Sequence, residues 1–281
     1  MQEAYAHCEA VVRAADKDRF LAALFAPVEL RRHLHALYAF NGEIARVREA
    51  AREVLPGEIR LQWWRDAVGG EARGEVDAHP IAAALRDTIA RCGLPSAPLL
   101  GLIDAHSFDL YDEPMASLAD LDAYGRDTEG ALMALGTRIL AGNQDSGMAA
   151  AAAAAGIACT IAHRLRSFPY DVSRRQMFVP SELLERYGVP REELESRRNS
   201  ERLRAALAEL RACAHAAFAQ FRGSAGGIPD SCAPAFLAVA IVAPLLTRLD
   251  CAADDPFMPV ELPQWRRQWA IWRAARRWPV L

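Results

Sequence analysis

Acidic side chains one helical turn apart are the first chemistry this sequence offers. Glu49 and Glu53 form an i,i+4 pair, and so do Asp109 and Glu113. Two carboxylates on one helix face can hold a hard divalent cation. The plainer reading is preferred for both. Glu49 and Glu53 read as a solvated helix face beside Arg46, Arg48 and Arg52. Asp109 and Glu113 read as surface, because Pro114 marks a helix end. Anion binding is the second chemistry. Arg164, Arg166, Arg174 and Arg175 bracket Asp171, and planar guanidinium heads hold phosphate oxygens with no metal. The alternative is a set of exposed loop arginines.

Other reactive types lack a working spacing. The seven histidines contain no HxxxH or HExxH, and His33 and His35 cannot share a helix face; all read as structural or surface. The six cysteines, Cys8, Cys92, Cys159, Cys213, Cys232 and Cys251, form no CxxC and no zinc spacing with a histidine. They read as buried free thiols of a reducing compartment. Tyr38, Phe40, Trp63 and Trp64 are helix-spaced aromatics that read as core. Trp265, Trp269 and Trp272 fall on one helix face, and residues 263–281 carry five arginines and no acid. A last helix packing its tryptophans on the bundle is the first reading. The alternative is a basic amphipathic surface for an anionic membrane.

The elements that must position these residues are helical. Apolar positions recur at helical spacing, and alternating β-branched runs are nearly absent. The pattern predicts helices over 3–14, 28–54, 57–69, 79–92, 97–111, 118–141, 147–166, 198–222, 231–249 and 262–278, with a short one at 181–187. Breakers such as Pro56-Gly57, Gly93, Gly142-Asn143 and Pro169 separate them. The alanine run at 149–155 reads as a helix whose small faces allow close packing. No linker or repeat of fixed period divides the 281 residues, so one all-α domain over 1–281 is expected.

Composition excludes several classes. Lys+Arg of 33 against Asp+Glu of 36 gives a net charge of -3, and a general nucleic-acid binder needs a basic surplus. Lys17 is the only lysine. The N-terminus has no signal-peptide pattern. The longest apolar stretches, near 148–162 and 232–246, fall short of the ~20 residues that span a bilayer. A cytoplasmic location is expected.

Three segments carry a resemblance: AlaLeuTyrAlaPhe at 36–40, ArgLeuGlnTrpTrpArgAspAlaVal at 60–68, and LeuArgSerPheProTyrAspValSerArgArgGlnMetPheValPro at 165–180. In that order they resemble the squalene/phytoene synthase family over nearly the whole chain. Asp109-Leu110 and Tyr124 through Gly130 add weaker matches. The resemblance implies an isoprenoid-synthase helical bundle with a deep apolar cavity. It also implies a polar mouth where two aspartate-rich segments hold Mg²⁺ on prenyl diphosphates.

The sequence departs from that pattern at both segments. The first set of aspartate positions falls on Ala45, Arg46 and Glu49, and the second on Ser167 and Asp171. Only Glu49 and Asp171 keep an acid, and they are the two weak metal candidates. A cation about 6 Å from Mg²⁺, at an effective dielectric near 20, opposes it by roughly 5 kcal/mol; Arg46 would do this unless it swings away. Pro169 is expected to stop or kink the helix between Ser167 and Asp171.

These departures fit a narrower resemblance, carried by PheAsnGlyGluIleAlaArgValArgGlu at 40–49, ArgLeuGlnTrpTrpArg at 60–65, LeuArgSerPheProTyr at 165–170 and SerArgArg at 173–175. It is to a divergent branch that contains the phytoene-synthase-like assembly factor of mitochondrial respiratory complex I and its bacterial relatives. The expectation is a catalytically degenerate member with no cofactor. It would bind a prenyl diphosphate or anionic lipid through Arg46, Arg166, Arg174, Arg175 and Tyr38, meet a respiratory-complex subunit or a membrane surface, and assist assembly. Such a chain would sit at the inner face of the cytoplasmic membrane. The alternative is an active Mg²⁺-dependent head-to-head prenyl transferase.

Overall fold

The computed structural model describes residues 1–51, 53–70, 76–142 and 147–279. Arg52 and Asn143 therefore lie outside the described residues. Within them the regular structure is helical and no strand occurs. The chain runs α1 (Gln2–Ala15), α2 (Lys17–Ala23), α3 (Val28–Ala45), α4 (Val47–Ala50), α5 (Val54–Gly69), α6 (Pro80–Cys92) and α7 (Ser96–Ser107). Then come α8 (Leu118–Gly125), α9 (Ala131–Ala141), α10 (Ala149–Ser173), α11 (Ser181–Arg186), α12 (Arg191–Glu195), α13 (Glu201–Ser224), α14 (Val242–Cys251) and α15 (Gln264–Arg277).

Helix α10 is the central strut, packed on α13, α8 and α14. Its alanine run allows close packing, since a Cβ on Gly130 would stand 3.1 Å from the Ala152 oxygen. A Cβ on Gly156 would stand 2.4 Å from the Gly130 nitrogen and 2.5 Å from the Gly125 oxygen, so only glycine lets the two backbones meet. Phe40, Trp64, Phe221 and Phe236 are fully buried in the core, and Tyr38 is buried too.

Several expected boundaries are corrected. The helix expected over 28–54 stops at Ala45; Arg46 leaves helical geometry and Ala51 is extended. Helix α5 begins at Val54, ahead of the expected break at Pro56. A proline in the first turn costs no helical bond, because its missing N–H has no intrahelical acceptor there. The helix expected over 118–141 is interrupted by a π turn at Arg126–Gly130. The one expected over 231–249 begins as two 3₁₀ segments, Asp230–Ala235 and Leu237–Ile241. Helix α10 runs through Pro169 to Ser173, so the proline does not end it. Cys251 is exposed, against the expectation of buried thiols, while Cys8, Cys159 and Cys232 are buried.

Helix α15 reverses the first reading of its tryptophans. It docks on α2 and on Leu237–Ile241 through Ile271 and Ala274. Trp265, Trp269 and Trp272 face outward, with 64%, 57% and 42% of their surface exposed. Among the described residues no helix is long and apolar enough to cross a membrane.

Candidate functional site

A cleft of about 850 Å³ opens where α3 and α4 face α10. Ala45, Arg48 and Glu49 line one side. Arg164, Ser167, Tyr170, Asp171, Arg174, Gln176 and Phe178 line the other, and Asp109 closes the floor. The family's aspartate positions in the two distant segments, Ala45, Glu49, Ser167 and Asp171, therefore meet, with the exception of Arg46. Its Nε donates to the Gly42 carbonyl at 2.9 Å, and the side chain lies outside the cleft. Arg46 therefore does not line the cleft.

Every acid of the cleft already has protein partners. On α10 the Ser167 hydroxyl donates to Asp171 Oδ2 at 2.6 Å. This one-face contact survives because the helix continues past Pro169. Burial pushes the Asp171 carboxyl above the ordinary carboxylate range, while the Ser167 hydroxyl and the Arg164 guanidinium pull it back. Glu49 pairs with Arg174 at 3.1 Å, both side chains exposed.

Asp109 corrects the surface reading of its segment. Glu113 is exposed, but Asp109 is buried in the 3₁₀ turn Phe108–Leu110. Its carboxylate accepts from the Tyr124 hydroxyl at 3.0 and 3.1 Å and lies 2.7 Å from His106 Nδ1. Arg164 Nη2 donates to the Tyr124 hydroxyl at 3.0 Å, and the guanidinium lies over the Phe178 ring at 3.4 Å. Burial, then the Asp109 charge, pushes the Tyr124 phenol far above its usual range. His106 thus backs Asp109 without lining the cleft. Of these groups the sequence flagged only Asp109 and Tyr124, as weak matches, and Arg164, as a member of the arginine group.

The donor set is a poor one for Mg²⁺. A hard cation needs free carboxylate oxygens. Here Glu49 Oε1 is tied to an arginine, Asp171 Oδ2 to a serine, and both Asp109 oxygens to a phenol. Among the described residues no three of His, Cys, Asp and Glu come together as a ligand set. Arg48, Arg164 and Arg174 beside them favour an anion instead.

The remaining candidates lie elsewhere. Arg175 is exposed in the left-handed region, at φ 59°, and does not line the cleft. Tyr38 and Arg166 line a second cavity of about 300 Å³ beneath α2. The family resemblance implied a deep apolar cavity; this one is polar. Arg19 is paired there with Glu129 and with Asp16. Burial would lower the Arg19 guanidinium, but Glu129 and Asp16 hold it well above its ordinary value. The π turn supplies Glu129, and α10 supplies Cys159 and His163. Burial pushes the His163 imidazole down to about 4, with Glu129 opposing and Arg166, Arg19 and Arg267 assisting.

Comparison with known proteins agrees with this geometry. The model of the squalene/phytoene synthase family matches residues 12–273. Complex I assembly factor 6 of Rattus norvegicus is 30% identical over 257 residues, which cover 92% of this chain and 77% of the relative. The crystal structure of a dehydrosqualene synthase with a ligand superposes with a TM-score of 0.79 at 16% identity, covering 98% of this chain and 96% of that one. Squalene synthase HpnC from Alicyclobacillus acidocaldarius superposes with a TM-score of 0.73 at 25% identity, covering 92% and 95%. With its helical order, its facing segments and a family match over most of its length, the chain belongs to the squalene/phytoene synthase family.

Proposed function

We propose that this chain assists assembly of a respiratory complex and no longer condenses prenyl diphosphates. One observation carries the reading: the acids of the cleft are bonded to Arg174, Ser167, Tyr124 and His106. The cleft then holds an anionic head, a prenyl diphosphate or a lipid phosphate, on Arg48, Arg164 and Arg174 without metal. The likeness to complex I assembly factor 6 supports the biological role. The outward tryptophans of α15 support peripheral contact with an anionic membrane. Trp269 and Trp272 stack at 5.1 Å, and Arg266 and Arg276 lie over Trp265 and Trp272. Aromatic bodies with cationic tips suit the interfacial layer of a bilayer.

The test has two arms. Purified chain incubated with farnesyl diphosphate, Mg²⁺ and NADPH is expected to yield no squalene-type or presqualene-type product above a no-protein control. A strain lacking the gene is expected to lose assembled complex I on native gels and to regain it with the intact gene. Condensation product, or normal assembly without the gene, overturns the proposal.

A further inference from the structure

The outward face of α15 is not flat. A groove of about 410 Å³ runs between α15 and segment 240–244, which leads into α14. Ala240, Ala243 and Pro244 form one side, and Trp265, Trp269 and Ala270 form the other. The recess follows from residue size. Alanines keep its floor low, while two indoles at i and i+4 stand up on one helix face beside them. Trp265 and Trp269 are 64% and 57% exposed, so among the described residues nothing covers them.

Charge narrows what fits. Arg266 and Arg273 are the charged residues of the lining, and both are exposed. They stand two turns apart, about 10.5 Å along the helix axis. The Arg266 guanidinium lies over the Trp265 ring at 5.2 Å, which holds one cation at the rim. No acid occurs in 263–281. Among the described residues Arg267 alone on α15 is ion-paired, with Asp18, and it points away from the groove. Apart from the two arginines and the indole N–H groups, the walls carry no hydrogen-bonding side chain. A protein partner makes about one hydrogen bond per 100–200 Å² of interface, whereas a hydrocarbon tail needs none. An apolar cavity of about 150 Å³ takes one benzene, so this groove takes a thread of roughly a dozen carbons.

We propose that the groove seats one acyl chain of an anionic phospholipid, with the headgroup phosphate on Arg266 or Arg273. The proposal rests on the membrane contact of the proposed function and deepens it: α15 recognises a single lipid molecule as well as a charged interface. The groove shares no lining residue with the cleft or with the polar cavity.

The experiment is calorimetric titration of the full chain with dioctanoyl phosphatidylglycerol below its micelle-forming concentration. Dihexanoyl phosphatidylglycerol, dioctanoyl phosphatidylcholine and octanoate are the comparisons. Saturable binding of one dioctanoyl phosphatidylglycerol per chain is expected. It should be about tenfold tighter than the dihexanoyl lipid, which seats two fewer methylenes, and about tenfold tighter than the choline lipid, which has no net charge. Ala243→Leu fills the groove and leaves every charge and tryptophan in place. It should weaken the lipid about tenfold or more, while thermal unfolding and co-sedimentation with phosphatidylserine vesicles stay near wild type. Of Arg266→Gln and Arg273→Gln, at least one should remove the preference for phosphatidylglycerol over phosphatidylcholine. Arg174→Gln, in the cleft, should change nothing; if the loss follows it instead, the lipid sits in the cleft and this inference falls while the proposed function stands. Octanoate bound as tightly as phosphatidylglycerol assigns the groove to a free fatty acid and overturns the proposal. Unchanged binding by Ala243→Leu and by both arginine variants overturns it too. Wild type that co-sediments with vesicles but binds no soluble lipid overturns it and leaves the membrane contact standing; wild type that does neither overturns both.

Discussion

Ser167 and Asp171 stand one turn apart on α10 and share a hydrogen bond of 2.6 Å, although Pro169 lies between them. The bond fixes the one acid that the second segment retains. Removing the hydroxyl in Ser167→Ala takes away a group that lowers the Asp171 carboxyl, so its titration should move further up. Carbon NMR of the labelled carboxyl reads this directly, and an unmoved or lowered titration would contradict the assigned bond.

The same raised carboxyl has a stability consequence. An acid whose folded-state value lies above its unfolded one favours the folded state most in acid, and that contribution is lost as pH rises through the folded value. Burial is the leading cause for Asp171. The difference in melting temperature between Asp171→Asn and wild type should therefore grow in favour of the variant from pH 4 to pH 7. A difference that shrinks over this range would mean that the charged form is the favoured one.

The fold was legible because its signals are local. Helical periodicity located α1, α6, α7, α13 and α15 to within a few residues, with Gly93 ending α6 as a left-handed cap. The π turn at Arg126–Gly130 was hidden, because one extra residue per turn hardly disturbs an apolar pattern. Helix α2 was missed because seven residues opening on Lys-Asp-Arg carry too little periodicity. The cleft was legible in part. Ala45, Glu49, Ser167, Asp171 and Arg174 meet there, whereas Asp109 turned inward on a 3₁₀ turn whose nearby Pro114 signalled a surface end. The polar cavity was legible only in part, through Tyr38 and Arg166. Asp18, Glu129, Arg166 and Gln264 are joined only by tertiary packing.

Gly156 tests how tightly that packing is set. A methyl group there meets backbone atoms of Gly130 and Gly125, which cannot rotate aside. Gly156→Ala should cost about 1–3 kcal/mol of stability, read as a lower midpoint in urea at unchanged slope. Gly226→Ala, which meets nothing within 4 Å, is the control. Equal midpoints for the two variants would show that α10 and the π turn can separate at little cost.

The tryptophan face of α15 predicts a membrane phenotype without a folding phenotype. Trp265 and Trp269 are more than half exposed, so Trp265→Ala with Trp269→Ala should leave thermal unfolding unchanged. Each ring can bury part of its large apolar area in the bilayer interface. Loss of both should weaken co-sedimentation with anionic phosphatidylserine vesicles by a factor of about ten or more, and neutral vesicles should bind weakly throughout. Undiminished sedimentation of the double variant would place any membrane contact elsewhere on the surface.

Arg174 and Arg48 carry the last prediction. Arg174 reaches Glu49 across the mouth at 3.1 Å, and Arg48 donates to the Asp109 carbonyl at 3.1 Å. Arg174 is exposed and free to turn toward a ligand, whereas Arg48 is half-buried and also paired with Asp112 at 2.5 Å, a pair it would have to leave. A charge-assisted contact is worth about 1.5–3 kcal/mol, so each arginine lost should weaken an anion in the cleft by roughly ten- to a hundredfold. Binding of farnesyl diphosphate in EDTA, compared between wild type, Arg174→Ala and Arg48→Ala, measures this. Adding Mg²⁺ to wild type should gain little, because the carboxylates that would share the metal are already engaged. If Mg²⁺ instead tightens farnesyl diphosphate by a hundredfold and Glu49→Gln or Asp171→Asn abolishes the gain, two acids suffice for a metal. The metal-free reading of the cleft would then give way to a working synthase mouth.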